Sequence, residues 1–320
     1  MMNNGTRLLV MMDFEKAIPT SSIDMLILAA SVDNRGYAVY EKMVENGVTI
    51  NQTIIFDYEK FRPNDESGRR DIYYQLENIN NVQYVQCNNE GDDSLFLSSL
   101  EMVETFSVFL DITSINIPDI FQICFVLKEL KTIPFLNVTY AEPKYYEHLN
   151  GLYFDYEHHI GERDYKPINE YFTSTISKDV VLVCFLGFDR LVSKYIHERK
   201  EHSDVVAVNG FPSYYPKLKD ISLEHNYELI SAIGRNSVQF TQANNPFSAY
   251  NLLTEVKSKN EDKILDICVL GSKPMALGAC IFALHNPSNT KVSYPYPVRY
   301  KPHTTIETSD IWLYGVDLCL

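Results

Sequence analysis

Apolar and polar positions along the chain fall into a repeating order of short continuous apolar runs and longer amphipathic stretches. The run Met25-Leu26-Ile27-Leu28-Ala29-Ala30 has no alternation, which predicts a strand covered on both faces. Asp33-Asn34-Arg35-Gly36 then supplies a turn and cap, and Tyr37, Val39, Tyr40, Met43 and Val44 recur at helical spacing until Asn46-Gly47 ends the helix. Thr53-Ile54-Ile55-Phe56-Asp57 reads as the next strand and 62–70 as a polar loop. A short helix at 71–78, strands at 82–87 and 107–111, a helix at 93–105, a helix at 117–131 opened by Pro118, and a strand at 134–138 continue the alternation.

The pattern dissolves over 140–171 into Tyr, His, Glu, Asp and Pro, and restarts at Val180-Val181-Leu182-Val183-Cys184-Phe185-Leu186-Gly187. Helices are expected at 189–200, 222–233 and 246–259, and from Pro274 through Ala283. Strands are expected at 205–208, 264–270, 291–296 and 311–318. Strand and helix in alternation predict an α/β protein with a Rossmann-like layered fold, a mainly parallel sheet flanked by helices, in two similar halves. The boundaries expected are 1–145 for the first half, 146–175 for a tyrosine-rich connecting loop and 176–320 for the second half. The resemblance to Rossmann-like nucleotide-binding proteins is one of architecture, and architecture does not assign function.

Composition narrows the classes of partner. Lys and Arg number 28 against 42 Asp and Glu, a net charge of −14, which opposes nonspecific binding to a phosphate backbone. The paired bases Arg69-Arg70 and Arg199-Lys200 are each followed by an acid and read as solvated helix ends. The longest apolar stretch, 180–188, is about half of what a membrane span needs, so no membrane association is expected and the cytoplasm is the expected compartment. Six cysteines without CxxC pairing read as reduced core residues, and eight histidines without HExxH spacing give no reason to expect a metal.

Three strand-to-helix turns carry the candidate chemistry: 28–35 with Arg35, 185–190 with Asp189 and Arg190, and 269–274 with Gly271, Ser272 and Lys273. In an open parallel sheet such turns lie at the carboxyl ends of strands, where ligands bind. In one sheet the three would share a rim. Gly271 permits close backbone approach, Ser272 offers a hydroxyl, Lys273 a charge, and the helix that follows its first N–H groups, which together suit an anion. The order is neither GxxxxGK[ST] nor GxGxxG. Asp111 ends another apolar strand, where a carboxylate can orient a ribose hydroxyl, hold a metal-bound phosphate, act as a base or cap the next turn. Arg35 and Arg190 stand in first helical turns, against the helix dipole.

The aromatic loops Gly210-Phe211-Pro212, Tyr214-Tyr215-Pro216 and 294–300 suit a base or a partner peptide, or packing at a sheet edge. No nucleophile pairs with a base at motif spacing, so neither a reaction nor a cofactor is assigned. The expected function is binding of a nucleotide or other phosphorylated small ligand at strand-end turns, as a sensor or an enzyme. A bacterial stress or defence pathway suits such a protein, with no residue specific to one. The alternative is a noncatalytic subunit that meets a protein partner through its tyrosine-rich loops.

Overall fold

The structure is a computed structural model that describes residues 10–30, 34–58, 81–86, 107–129, 135–146, 164–168, 179–188, 192–198, 202–296 and 305–318. It divides into two units. The first comprises Met1–Asn116, Ile123–Glu147 and Lys301–Leu320, and the second Ile117–Gln122 and His148–Tyr300.

Unit 1 holds a seven-stranded sheet. Strands β2 (Ser22–Ala30), β3 (Thr49–Asp57), β4 (Val82–Gln86), β5 (Val108–Asp111) and β6 (Phe135–Tyr146) are parallel, in the order β6-β5-β2-β3-β4. Chain order therefore reverses between β2 and β5. Outside β6 lie β13 (Thr305–Asp317), antiparallel to it, and β1 (Val10–Asp13), antiparallel to β13. Helix α1 (Ala38–Glu45) places Val39 and Met43 over Leu26, Leu28, Ile55 and Phe109, and this is the apolar core of one sheet face. Burial on both faces explains why β2 reads as an unbroken apolar run. Helix α2 (Ile117–Glu129) follows β5, with Pro118 in its first turn.

Unit 2 holds a six-stranded sheet of β7 (Asp164–Pro167), β8 (Val180–Phe185), β9 (Asp204–Gly210), β10 (Val238–Thr241), β11 (Ile264–Val269) and β12 (Thr290–Tyr296). Its order is β10-β9-β8-β11-β12-β7, parallel except for β7. Helices α3 (Val192–Glu198), α4 (Pro216–His225) and α5 (Tyr227–Ile233) follow β8 and β9. Residues of α3 and α5 pack with Leu182, Cys184, Ala207 and Cys268. Helices α6 (Pro246–Ser258) and α7 (Lys273–His285) pack on each other, and every residue of α7 from Pro274 to Leu284 is buried. Close approach is required at Gly278, where a Cβ would stand 2.0 Å from the Pro246 carbonyl oxygen.

The α/β class and the mostly parallel, helix-flanked sheets are as the periodicity predicts, and both units lay five parallel strands in the same order. Several local expectations change. The stretch 140–171, where the pattern dissolves, holds strand structure: β6 runs on to Tyr146, and β7, inside the expected connecting loop, pairs with β12. Residues 305–317, expected in the second half, form β13 of the first unit's sheet. The single helix expected at 222–233 is two helices that meet at Asn226. The fully buried Asn226 side chain accepts from Ser193 Oγ at 2.5 Å and donates to the Gly187 carbonyl at 2.9 Å and the Ser222 carbonyl at 2.8 Å. The helices expected at 71–78 and 93–105 lie outside the described residues. Among the described residues, no helix is long and apolar enough to cross a membrane.

Candidate functional site

Because the chain builds two sheets, the three candidate turns do not share one rim. The turn after β2 belongs to the sheet of unit 1, and the turns after β8 and β11 belong to that of unit 2. In each sheet the strand order reverses beside the first parallel strand, the place where a crevice opens at the carboxyl ends of such strands.

In unit 2, the turns after β9, β10 and β11 are tied to one another through Ala243. Its carbonyl accepts from Tyr214 Oη at 2.8 Å and from Ser272 Oγ at 2.5 Å, and its N–H donates to the Pro212 carbonyl at 3.0 Å. The Phe211 N–H adds a bond of 2.6 Å to the Thr241 carbonyl. Below these turns Gly210 and Gly271 both pack on Met275. A Cβ at either position would come within 2.8 Å of that side chain. Gly271 therefore has a packing reason to be glycine.

Ser272 is the N-cap of α7, accepting from the Met275 N–H at 3.4 Å while it donates to Ala243. Lys273 is the first residue of the helix, and Pro274 behind it has no N–H to offer. Lys273 contributes an N–H and an ammonium group to this helix start, with Ser272 holding the turn in place. The turn after β8 is equally constrained: a Cβ on Gly187 would stand 2.1 Å from the Leu270 carbonyl oxygen. Asp189 and Arg190 lie outside the described residues.

In unit 1, Arg35 and Asp111 are brought to the same strand ends and joined through a short network. The Arg35 guanidinium donates to the Ala141 carbonyl at 2.9 Å, the Ala141 N–H donates to Thr113 Oγ1 at 2.9 Å, and Thr113 donates from both its N–H and hydroxyl to Asp111 Oδ1. All three side chains are buried. Arg35, Thr113 and Asp111 thus fasten the turns after β2 and β5 to β6, a structural task for two of the sequence candidates. Sequence reasoning missed Asp57. It is the last residue of β3, buried, and register-paired with Ala30 at the end of β2. An acid closing the second parallel strand, about 20 residues beyond the first turn, is where a ribose hydroxyl is held in dinucleotide folds, and that spacing from Gly36 is the signal available.

A second polar cluster missed by motif reading lies nearer the amino ends of unit 2's strands. The fully buried Asp266 carboxylate on β11 meets His202 Nε2 at 3.1 Å and the Lys291 ammonium at 3.3 Å. A carboxylate this deep requires such partners. In the same strand Cys268 stands in register with Cys184, and burial, then the neighbouring Cys184, push its thiol well above the ordinary range. Cys124, Cys184, Cys268 and Cys280 are buried thiols, while Cys87 and Cys319 lie outside the described residues. In unit 1, burial raises the Tyr314 phenol well above its usual value, with Tyr140 and Glu142 adding to the effect.

No protein-family model matches the chain, and no curated protein matches it. Among solved structures, it is similar to a functionally unknown protein from Pseudomonas aeruginosa PAO1, with 10% identity over 86% of this chain and 93% of that one, at a TM-score of 0.25. A universal-stress-protein candidate from Pseudomonas aeruginosa UCBPP-PA14 matches at 11% identity over 85% and 93%, with a TM-score of 0.26. A phosphoethanolamine N-methyltransferase from Haemonchus contortus, in complex with phosphoethanolamine and S-adenosylhomocysteine, matches at 9% identity over 95% and 89%, with a TM-score of 0.24. Superpositions this loose carry no functional argument.

Proposed function

We propose that the chain binds a phosphorylated small ligand, with nucleotides foremost, at the carboxyl rim of the sheet in unit 2. The observation that carries this reading is the knot at Ala243, which fixes the turns after β9, β10 and β11 around one carbonyl, with Lys273 opening α7 beside it. A phosphate seated there meets the Lys273 ammonium, the Lys273 N–H and the positive end of a 13-residue helix. Gly271 and Ser272 set the turn, while Asp189 and Arg190, which follow β8 in the sequence, lie outside the described residues. In unit 1, Asp111 and Arg35 brace the strand ends beside Asp57. Whether the bound molecule is sensed or turned over is a second question, and a bacterial stress or defence pathway is one setting that suits either.

The test is a thermal-shift screen of the full chain against nucleotides, dinucleotides and phosphosugars, with and without Mg²⁺, repeated on Lys273→Ala. A ligand at 100 times its Kd stabilises the fold by about 2.7 kcal/mol through mass action. A saturable rise in Tm that Lys273→Ala abolishes supports the site. A panel without any shift favours the noncatalytic interaction subunit, whose exposed Phe211, Tyr215 and Phe240 would then meet a protein partner.

A further inference from the structure

At the same end of unit 2 stands a group of aromatic side chains that the fold holds in solvent. Phe211, directly after β9, is 53% exposed, and Phe240, in the edge strand β10, is 49% exposed. Their rings meet edge to face, with centroids 6.3 Å apart and planes 77° to each other, and form a right-angled corner. Tyr215, just before α4, is 43% exposed. Folding normally withdraws such area from water, so a fixed, exposed aromatic corner is the kind of surface that marks a binding site. The backbone beneath it is fixed by the Phe211 N–H bond to Thr241 and the bond between Pro212 and Ala243, so little order remains to be imposed when a ligand arrives.

The charge around the corner selects the partner. Lys219 places its ammonium 5.4 Å from the Phe211 ring centroid. The first turn of α4 carries Lys217 and Lys219, has no acidic residue and no side-chain cap, so basic side chains and the helix dipole add at one point. Lys219 also pairs with Asp220 at 3.0 Å, but that carboxylate is 70% exposed and the pair is a weak competitor for an incoming anion. In a chain of net charge −14, this corner sets a local positive field beside aromatic faces, complementary to a flat neutral ring borne by an anionic molecule.

We propose that Phe211 and Phe240 form a stacking platform for the base of a nucleoside phosphate. This rests on the reading of the unit 2 rim as a phosphate site, and it narrows the ligand class from phosphorylated small molecules to those that bear a nucleobase. Phe211 and Phe240 have no hydrogen-bonding side-chain atoms, so the two rings grip ring faces and do not themselves read base edges. Purines are therefore preferred to pyrimidines by ring area, with little distinction between adenine and guanine.

Isothermal titration of the full chain with ADP, GDP, UDP and ribose 5-phosphate tests this, using wild type, Lys273→Ala, Phe211→Ala, Phe240→Ala and Phe211→Tyr. Both phenylalanines are half exposed, so the alanine variants are expected to fold, and circular dichroism checks that they do. The expected result is tighter binding of ADP and GDP than of UDP, and of all three than of ribose 5-phosphate. Phe211→Ala should weaken ADP by about 5- to 150-fold, the range of one lost base stack, while ribose 5-phosphate is unchanged and Phe211→Tyr restores ADP. If ADP and ribose 5-phosphate bind alike and only Lys273→Ala weakens them, the platform is overturned and the phosphate site stands. If wild type binds none of the four, the phosphate site falls and the platform with it.

Discussion

Replacing Gly278 with alanine sets two effects of known sign against each other in the middle of α7. Helix propensity alone favours alanine by about 1 kcal/mol. Against that, the new Cβ would stand 2.0 Å from the Pro246 carbonyl oxygen and 2.9 Å from the Ala249 Cβ. The first distance is about 1.4 Å short of ordinary van der Waals contact, and the atom it meets is main chain, which no rotamer change can move aside. Helix α7 must therefore shift away from the start of α6, although α7 is buried from Pro274 to Leu284 and the start of α6 packs on it. Overpacking of this kind costs about 1–3 kcal/mol, and the backbone clash places it at the upper end. The net expectation is a loss of about 2 kcal/mol, read as a lower urea midpoint by far-UV circular dichroism with the slope unchanged. Gly47→Ala is the control: at φ +76° it has nothing within 4 Å of the added carbon, so its cost is conformational only. A Gly278→Ala protein as stable as wild type, or more stable, would refute the close-packed contact between the two helices.

Other consequences follow from the buried polar groups. Asn226→Ala removes a side chain that makes three hydrogen bonds, leaves Ser193 to find a new partner and leaves the Gly187 carbonyl with the Ser222 hydroxyl but without its amide donor; urea unfolding should show a loss of about 2 kcal/mol. Asp266→Ala leaves a buried histidine and a half-buried lysine without their shared carboxylate, and about 3 kcal/mol of stability should be lost in the same assay. Tyr314 binds its proton more tightly in the fold than in the unfolded chain. Its contribution is present in full below the ordinary pKa of 10.0 and is lost as pH rises beyond it, so Tyr314→Phe should flatten the alkaline limb of a plot of stability against pH.

The legible parts of this chain are those set by local pattern. Buried parallel strands such as β2 and β8 announce themselves as unbroken apolar runs, β11 as an apolar run broken only by Asp266, and the N-cap Ser272 with Pro274 behind it marks the start of α7. What periodicity does not encode is pairing at a distance. Residues 305–317 have the pattern of an edge-side strand in either half, and only contact with β6 decides that they complete the first sheet. The break at Asn226 was hidden because the helical period persists across it, and the bend is imposed by three side-chain bonds to distant or neighbouring carbonyl and hydroxyl groups. The site was legible to the same extent. Gly271, Ser272 and Lys273 were read from their turn, whereas the knot at Ala243 and the exposed corner of Phe211 and Phe240 depend on loops that are far apart in sequence. Motif spacing is silent on Asp266, because its partners His202 and Lys291 come from different strand ends.

The most direct measurement is hydrogen–deuterium exchange of the full chain with and without saturating ADP. The account predicts slowed exchange in the rim segments 211–215, 242–248 and 270–276, with the strand ends around Arg35 and Asp111 unchanged. Protection confined to those unit 1 strand ends, or none anywhere, would contradict a ligand site at the carboxyl rim of unit 2.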